Sequence, residues 1–410
     1  MNIDLGIVPE WRDQKPQWGH PFHQMCSYMA MFPASIPHYF IDRFTQPGEV
    51  VLDPMCGRGT TPVQAAVEGR VGVGNDRNPL AFALTRAKLN APPWPRVTRR
   101  LTELREQSRR ARAAHDAPSE IREIFHPETL GQLEFLRDYL SPEARQEDAF
   151  LQGVILGSLH GASSGYLSLP MPNTFSMSPN YIRNYAEKNR LRTPRRDVFS
   201  VVERRARRLF SRGRPRGPGY AYRFDIREMH ERIAADSVQL IVTSPPYLKV
   251  IKYGLYNWIR LWFLKEDSRT VDRSLDDTHT LDRYLAFMST LLSEMHTVLT
   301  PGGLCVVVVG DVNGLNLAQT VWKRVGASSG FSNHSIIEDS IHANEKVTRI
   351  WGKERGKATN VDRLLILYKD HLRPPVKDRA DWSLPSTTEG ARSDSTDLEH
   401  FGKREAAETS

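Results

Sequence analysis

Ser244-Pro245-Pro246-Tyr247, preceded by Thr243 at the end of the apolar run Val238 to Val242, sets a hydroxyl, two rigid prolines and an aromatic ring at the end of a predicted buried strand. Each proline fixes φ and lacks an N–H, so the pair freezes a turn whose carbonyl oxygens stay free to accept hydrogen bonds. Such a corner can hold a planar amino group by its protons while Tyr247 stacks on the attached ring.

A second constellation lies far upstream. Glu49-Val50-Val51-Leu52 reads as a strand that runs into Asp53-Pro54-Met55-Cys56-Gly57-Arg58-Gly59-Thr60-Thr61, with a helix from Thr61 to Glu68. Glycines after a first strand let the backbone turn sharply and approach a ligand, at the carboxyl edge where open α/β sheets bind. No Gly-Lys-Ser/Thr follows, and the spacing falls short of the dinucleotide fingerprint, which disfavours phosphate cradling. A second strand, Arg70 to Gly74, leads to Asn75-Asp76, placing an acid where a ribose diol would lie.

These residues need a frame, and the alternation of short β-branched runs with helical stretches predicts one: an α/β fold with a parallel sheet. The helix Pro79 to Leu89 completes a βαβα opening; strands at Val238 to Val242, Leu304 to Val309 and Leu364 to Tyr368 and a helix from Asp282 to Leu299 form a second block. Pro301-Gly302-Gly303 is expected to stop that helix. Between the blocks, Ala91 to Pro218 breaks the alternation, with Arg-rich helical stretches at Arg96 to His115 and Pro194 to Ser211 and a proline-rich loop around Pro172-Asn173-Thr174-Phe175. The division is residues 1–90, an N-terminal arm and first half-sheet; 91–218, a basic, largely helical insertion; 219–370, the second half-sheet; and 371–410, a tail too polar to offset ordering entropy and therefore expected to be disordered.

Together, the glycine turn, Asp76 and Thr243-Ser244-Pro245-Pro246-Tyr247 resemble the S-adenosylmethionine-dependent DNA methyltransferases that act on exocyclic amino groups, with the Ser-first tetrad similar to the cytosine-N4 enzymes. The resemblance covers roughly Pro21 to Leu89 and Tyr222 to Tyr368 and implies a Rossmann-like methyltransferase sheet. It implies that Asp53, Pro54, Cys56, Gly57, Gly59 and Thr60 border the methionine end of S-adenosyl-L-methionine, that Asp76 binds the ribose hydroxyls, and that Asp225 contacts the adenine amino group. The usual small residues around that last acid are missing. The segment His20 to Phe40 is similar to the lead-in that covers the cofactor, and Ser244, Pro245, Pro246 and Tyr247 become the catalytic corner. The implied partner is double-stranded DNA with the target base flipped out, in restriction-modification or phage defence, with a cognate restriction endonuclease as a second partner.

Composition narrows the field. The 410 residues, 40% apolar, can build a sizeable core. Three scattered cysteines form neither a disulfide framework nor a metal site, so a reducing cytoplasm and no metal are expected. No run approaches the roughly 20 apolar residues of a membrane span, and the start lacks the layout of a secretion signal. Residues 183–216 carry thirteen Lys and Arg against three acids, a net of +10 in a chain of net +8, so the basic character is one patch. Arg204, Arg205, Arg207 and Arg208 are the candidate phosphate contacts, and Asn173 the candidate for a base edge. The absence of any Pro-Cys dipeptide excludes cytosine-C5 methylation. Adenine-N6 methylation, methylation of RNA or a protein amide, and a nucleic-acid-binding protein that has lost catalysis remain as alternatives.

Overall fold

The computed structural model describes residues 6–15, 17–29, 31–111, 116–246, 248, 252–275, 280–312, 314–340 and 361–383. Seven strands form one sheet: β1 (Val50–Asp53), β2 (Val71–Asn75), β3 (Gly219–Tyr222), β4 (Val238–Thr243), β5 (Leu299–Gly310), β6 (Asn333–Ser340) and β7 (Val361–Tyr368). Their order is β3-β2-β1-β4-β5-β7-β6, parallel from β3 to β5, with β7 antiparallel to both β5 and β6. The first half of the sheet carries α1 (Ser35–Phe44), α2 (Thr60–Val67) and α3 (Pro79–Leu89).

Side-chain alternation assigns the two faces. Val51, Leu240, Val242, Val306 and Ile366 point to the face covered by α1, where Tyr39 and Phe40 are fully buried. Val50, Leu52, Ile241, Val307 and Leu367 point to the other, against Tyr284, Met288 and Leu292. Strands buried on both faces must read as continuous apolar runs, which is why β1, β4 and most of β5 were legible as such.

The insertion is helical: α4 (Trp94–Arg110), α5 (Ser119–Arg122), α6 (Pro127–Tyr139), α7 (Gln146–Ser158), α8 (Pro179–Lys188) and α9 (Val198–Leu209). The second half adds α10 (Met229–Arg232), α11 (Trp258–Phe263), α12 (Ser268–Ser274), α13 (Leu281–Val298) and α14 (Leu317–Val321). Among the described residues the insertion has no core of its own. Leu133, Phe150, Val154 and Val202 share one apolar cluster with Leu84 and Ala87 of α3 and Ile259 of α11. Close approach makes this continuity: a Cβ at Gly157 of α7 would lie 1.8 Å from the Met25 carbonyl oxygen.

Two expectations need correction. Pro301-Gly302-Gly303 lies inside β5, not at a helix end; α13 already stops at Val298, and the five-residue advance from Leu299 to Leu304 opposite Val238 to Leu240 is an irregularity of the ladder that Gly302, at φ +79°, accommodates. Residues 371–383 are packed, not disordered. Trp382 sits against Trp18 and His38 at ring separations of 5.4 and 4.8 Å, Lys377 pairs with Asp42, and the Asp381 N–H donates to the same carboxylate at 2.8 Å. One tryptophan and a buried acid on α1 supply the anchor that average polarity concealed. Residues 384–410 lie outside the described residues, as do 112–115 at the end of the expected first insertion helix.

Candidate active site

The glycine turn leaves β1 at Asp53 and enters α2 at Thr60. Gly57 and Gly59 both take positive φ, +51° and +78°, a region that L side chains avoid. At Gly59 a Cβ would also lie 2.6 Å from Thr85 Oγ1, so the position admits no side chain. Asn75 locks the strand ends around this turn: its amide donates to the Pro54 and Phe224 carbonyls at 3.1 and 3.2 Å and accepts from the Phe224 N–H at 3.0 Å. One side chain thereby ties β1, β2 and the exit of β3, a role that sequence alone did not reveal.

Two carboxyls flank the turn, Asp53 buried and Asp76 half-buried. Asp76 accepts the Gly57 N–H at 2.8 Å on one oxygen and the Asn78 N–H at 2.9 Å on the other. Burial pushes its pKa up to about 6, and those two bonds limit the rise. Asp53 accepts the Met55 N–H at 3.2 Å; burial lifts it to about 7, that bond limits the rise, and the Asp76 charge adds to it. A carboxyl raised by burial rather than by a hydrogen-bonded partner favours an arriving cation.

These groups open onto one cleft that is continuous with solvent. It brings together Asp53, Pro54, Cys56, Gly57, Thr60, Asp76, Asp225, Ser244 and Pro246, nine of the residues singled out from sequence. Gly59 and Pro245 are buried behind the wall rather than on it, and Tyr247 lies outside the described residues. Cys56 is a buried thiol pushed well above its usual range by desolvation, then by Asp76 and Asp53, which makes it an inert wall element.

Asp225 is less free than expected. Its carboxylate caps a short turn by accepting the Arg227 N–H at 3.1 Å and pairs with the guanidinium groups of Arg77 and Arg227 at 2.8 and 2.7 Å. Little acceptor capacity is left for a ligand's amino group.

Sequence reasoning missed Tyr28 and Asn78. Tyr28 lies over Gly57, 3.2 Å from where a Cβ would stand, accepts the Asn78 amide at 3.1 Å, and stacks on Tyr253 at 5.9 Å. Tyr28, Met29, Met31 and Phe32 bring the arm onto the cleft, and Tyr253 lines it from the stretch after the tetrad. The pairing of Asn78 with the arm depends on chain segments fifty residues apart, a separation that no local pattern encodes.

The insertion meets this site through Arg260. This fully buried guanidinium donates to the Thr174 carbonyl at 2.7 Å, Asn257 Oδ1 at 2.8 Å, the Leu156 carbonyl at 3.2 Å and Ser27 Oγ at 3.3 Å. It joins the loop of Asn173, which is half-buried, to the arm and to α11. On α9, Arg204, Arg207 and Arg208 are exposed, whereas Arg205 is not a free surface cation. It donates to the Met25 carbonyl at 3.1 Å and lies over the Tyr166 ring at 5.4 Å, because its position on the helix faces the arm. Its assignment as a phosphate contact is therefore withdrawn. Among the described residues no group of three His, Cys, Asp or Glu is placed to hold a metal ion, and no helix is long and apolar enough to cross a membrane.

A family model described as DNA methylase matches residues 9–86 and 238–390, leaving out the helical insertion. Among solved structures, the chain is similar to the rRNA methyltransferase aviRa of Streptomyces viridochromogenes, with 10% identity, 88% of this chain and 91% of that one covered, and a TM-score of 0.34. It is similar to TrmN of Thermus thermophilus at 12% identity, covering 85% of this chain and 52% of that one, with a TM-score of 0.35. A putative DNA modification methylase of Thermus thermophilus, solved with S-adenosyl-L-methionine, shares 24% identity over 38% of this chain and 55% of that one, with a TM-score of 0.23. Among curated proteins none matches.

Proposed function

The chain belongs to the DNA methylase family, and from that premise we propose that it transfers a methyl group to the exocyclic N4 amine of cytosine in double-stranded DNA. The observation that carries the reading is the convergence of Ser244 and Pro246 with Asp53, Gly57 and Asp76 on one cleft, from segments almost 170 residues apart.

The residues present fit S-adenosyl-L-methionine. Asp76 has one N–H on each carboxylate oxygen, which leaves lone pairs for the hydroxyls of a ribose. The bare backbone at Gly57 gives close access, and Asp53, raised by burial, faces the same space and would be stabilised as a carboxylate beside a cation. When bound, the cofactor supplies an electrophilic methyl group on a sulfonium.

The chain's part concerns the amine. An amino group conjugated to a base is a poor nucleophile because its lone pair is delocalised into the ring. The Ser244 hydroxyl oxygen and the Pro245 carbonyl, accepting its two protons, favour a more tetrahedral nitrogen with the lone pair free. Proline at 245 and 246 keeps those acceptors from being consumed by a local N–H. No covalent enzyme intermediate is required, and the rest of the acceleration comes from holding two reactants in line. A paired base cannot reach this corner, so the target leaves the duplex. The serine at the head of the tetrad favours cytosine over adenine as the ring.

Replacing Ser244 tests the assignment. Ser244→Ala is expected to leave the unfolding temperature and S-adenosylhomocysteine affinity within error while slowing methyl transfer by about 100-fold to 1,000-fold, the usual worth of one positioned hydrogen-bonding group. Full activity in that variant would remove Ser244 from the mechanism.

A further inference from the structure

Arg58, inside the glycine turn, was assigned no role from sequence, and it lines the cleft. Among the described residues its buried Nε has no hydrogen-bond partner and no carboxylate pairs with its guanidinium. Lys88 on α3 stands behind it, wholly buried, with its ammonium donating to the Arg58 carbonyl oxygen. Charges withdrawn from water require a partner, and two neighbouring cations repel each other besides. Among the described residues no carboxylate compensates them: burial, followed by the Arg58 charge, lowers Lys88 to about 7, and burial lowers Arg58 to about 10. Burial, and after it the Arg58 and Lys88 charges, depress His23 on the arm, so the imidazole stays neutral and adds no further cation.

We propose that Arg58, backed by Lys88, is an anion subsite of the cleft and takes the α-carboxylate at the amino-acid end of the methyl donor. The inference rests on the cofactor reading above. Asp76 and Arg58 border the same cleft, and a ligand that presents a diol to the first and a carboxylate to the second uses both. A guanidinium offers a forked set of donors matched to a carboxylate, and the bond is charge-assisted. Arg58 thus selects ligands that retain the carboxylate over 5′-thionucleosides that lack it.

The test is equilibrium binding to the full chain by calorimetry. Wild-type protein is expected to prefer S-adenosylhomocysteine to 5′-methylthioadenosine. Arg58→Gln should weaken S-adenosylhomocysteine about tenfold to 100-fold, the worth of a charge-assisted hydrogen bond, and leave 5′-methylthioadenosine unchanged; Arg58→Lys should recover part of the loss. Among the described residues the Arg58 guanidinium has no hydrogen-bond or ion-pair partner for its removal to orphan, and the unfolding temperature of each variant confirms the fold. Equal S-adenosylhomocysteine affinity in wild-type and Arg58→Gln would overturn the subsite while leaving the cofactor reading intact. If Arg58→Gln instead lowers only DNA affinity and its salt slope, the anion is a DNA phosphate and the proposal fails. No binding of S-adenosylhomocysteine to the wild-type protein would overturn both.

Discussion

Asp76 shows how one residue links fold to chemistry. Its carboxylate pins the turn through Gly57 and the start of α3 through Asn78, yet it keeps acceptor capacity for a ligand. With its pKa raised to about 6 by burial, the free protein loses that capacity on mild acidification. The sign is fixed: below pH 6 the protonated carboxyl cannot accept two hydroxyl donors, above it the carboxylate can. S-adenosylhomocysteine affinity should therefore fall as the pH drops from 7.5 to 5.5. Asp76→Asn should bind at least about tenfold more weakly and show a smaller fall across that window, the remainder belonging to Asp53, raised to about 7 on the same cleft, which fluorescence or calorimetric titration can read. At this scale the sequence was informative where chemistry is local. The turn and the tetrad are short motifs whose backbone demands show in glycine and proline. Asn75, Tyr28 and Arg58 stayed silent because their roles depend on partners supplied by distant segments.

At the scale of elements, α2, β2, α3 and β4 were placed almost to the residue, since buried parallel strands need unbroken apolar runs and their helices start at defined turns. β6 escaped notice: Asn-His-Ser-Ile-Ile-Glu-Asp-Ser is a half-exposed edge strand with little alternation, held by β7 on one side. Composition marked α9 as basic but could not say which arginines face outward. The helix resolves this, with Arg205 turned to Met25 and Tyr166 and the others to solvent. Reversing charge at Arg204, Arg207 and Arg208 together should weaken DNA binding and flatten the salt dependence by about one unit of slope per lost phosphate contact. Arg205→Ala should instead lower stability by about 1 to 3 kcal/mol, because a buried carbonyl loses its donor, with the salt slope unchanged. The opposite assignment would move the DNA contact off this face of α9.

For the molecule as a whole, the expected insertion is not an appended module. It shares its core with α3 and α11, and Arg260 fastens its loop to the arm and to the stretch following the tetrad, so the segment outside the family match is tied to the two stretches that line the cleft with Tyr28 and Tyr253. The arm and residues 371–383 close the other side through α1, where Trp382 lies against Trp18 and His38. Sequence conveyed that these parts exist and not that they are continuous, because continuity is carried by contacts such as Gly157 on Met25 and Lys377 on Asp42. The molecule thus presents one cleft in which Ser244 and Pro246 meet the glycine turn, and what that cleft makes is directly measurable. Expressed in a host free of DNA methylation, with the host DNA digested to nucleosides and analysed by mass spectrometry, the wild-type protein should yield N4-methyldeoxycytidine and Ser244→Ala should yield almost none. N6-methyldeoxyadenosine in its place would contradict the assignment to cytosine, and no methylated nucleoside at all would contradict catalysis at this cleft.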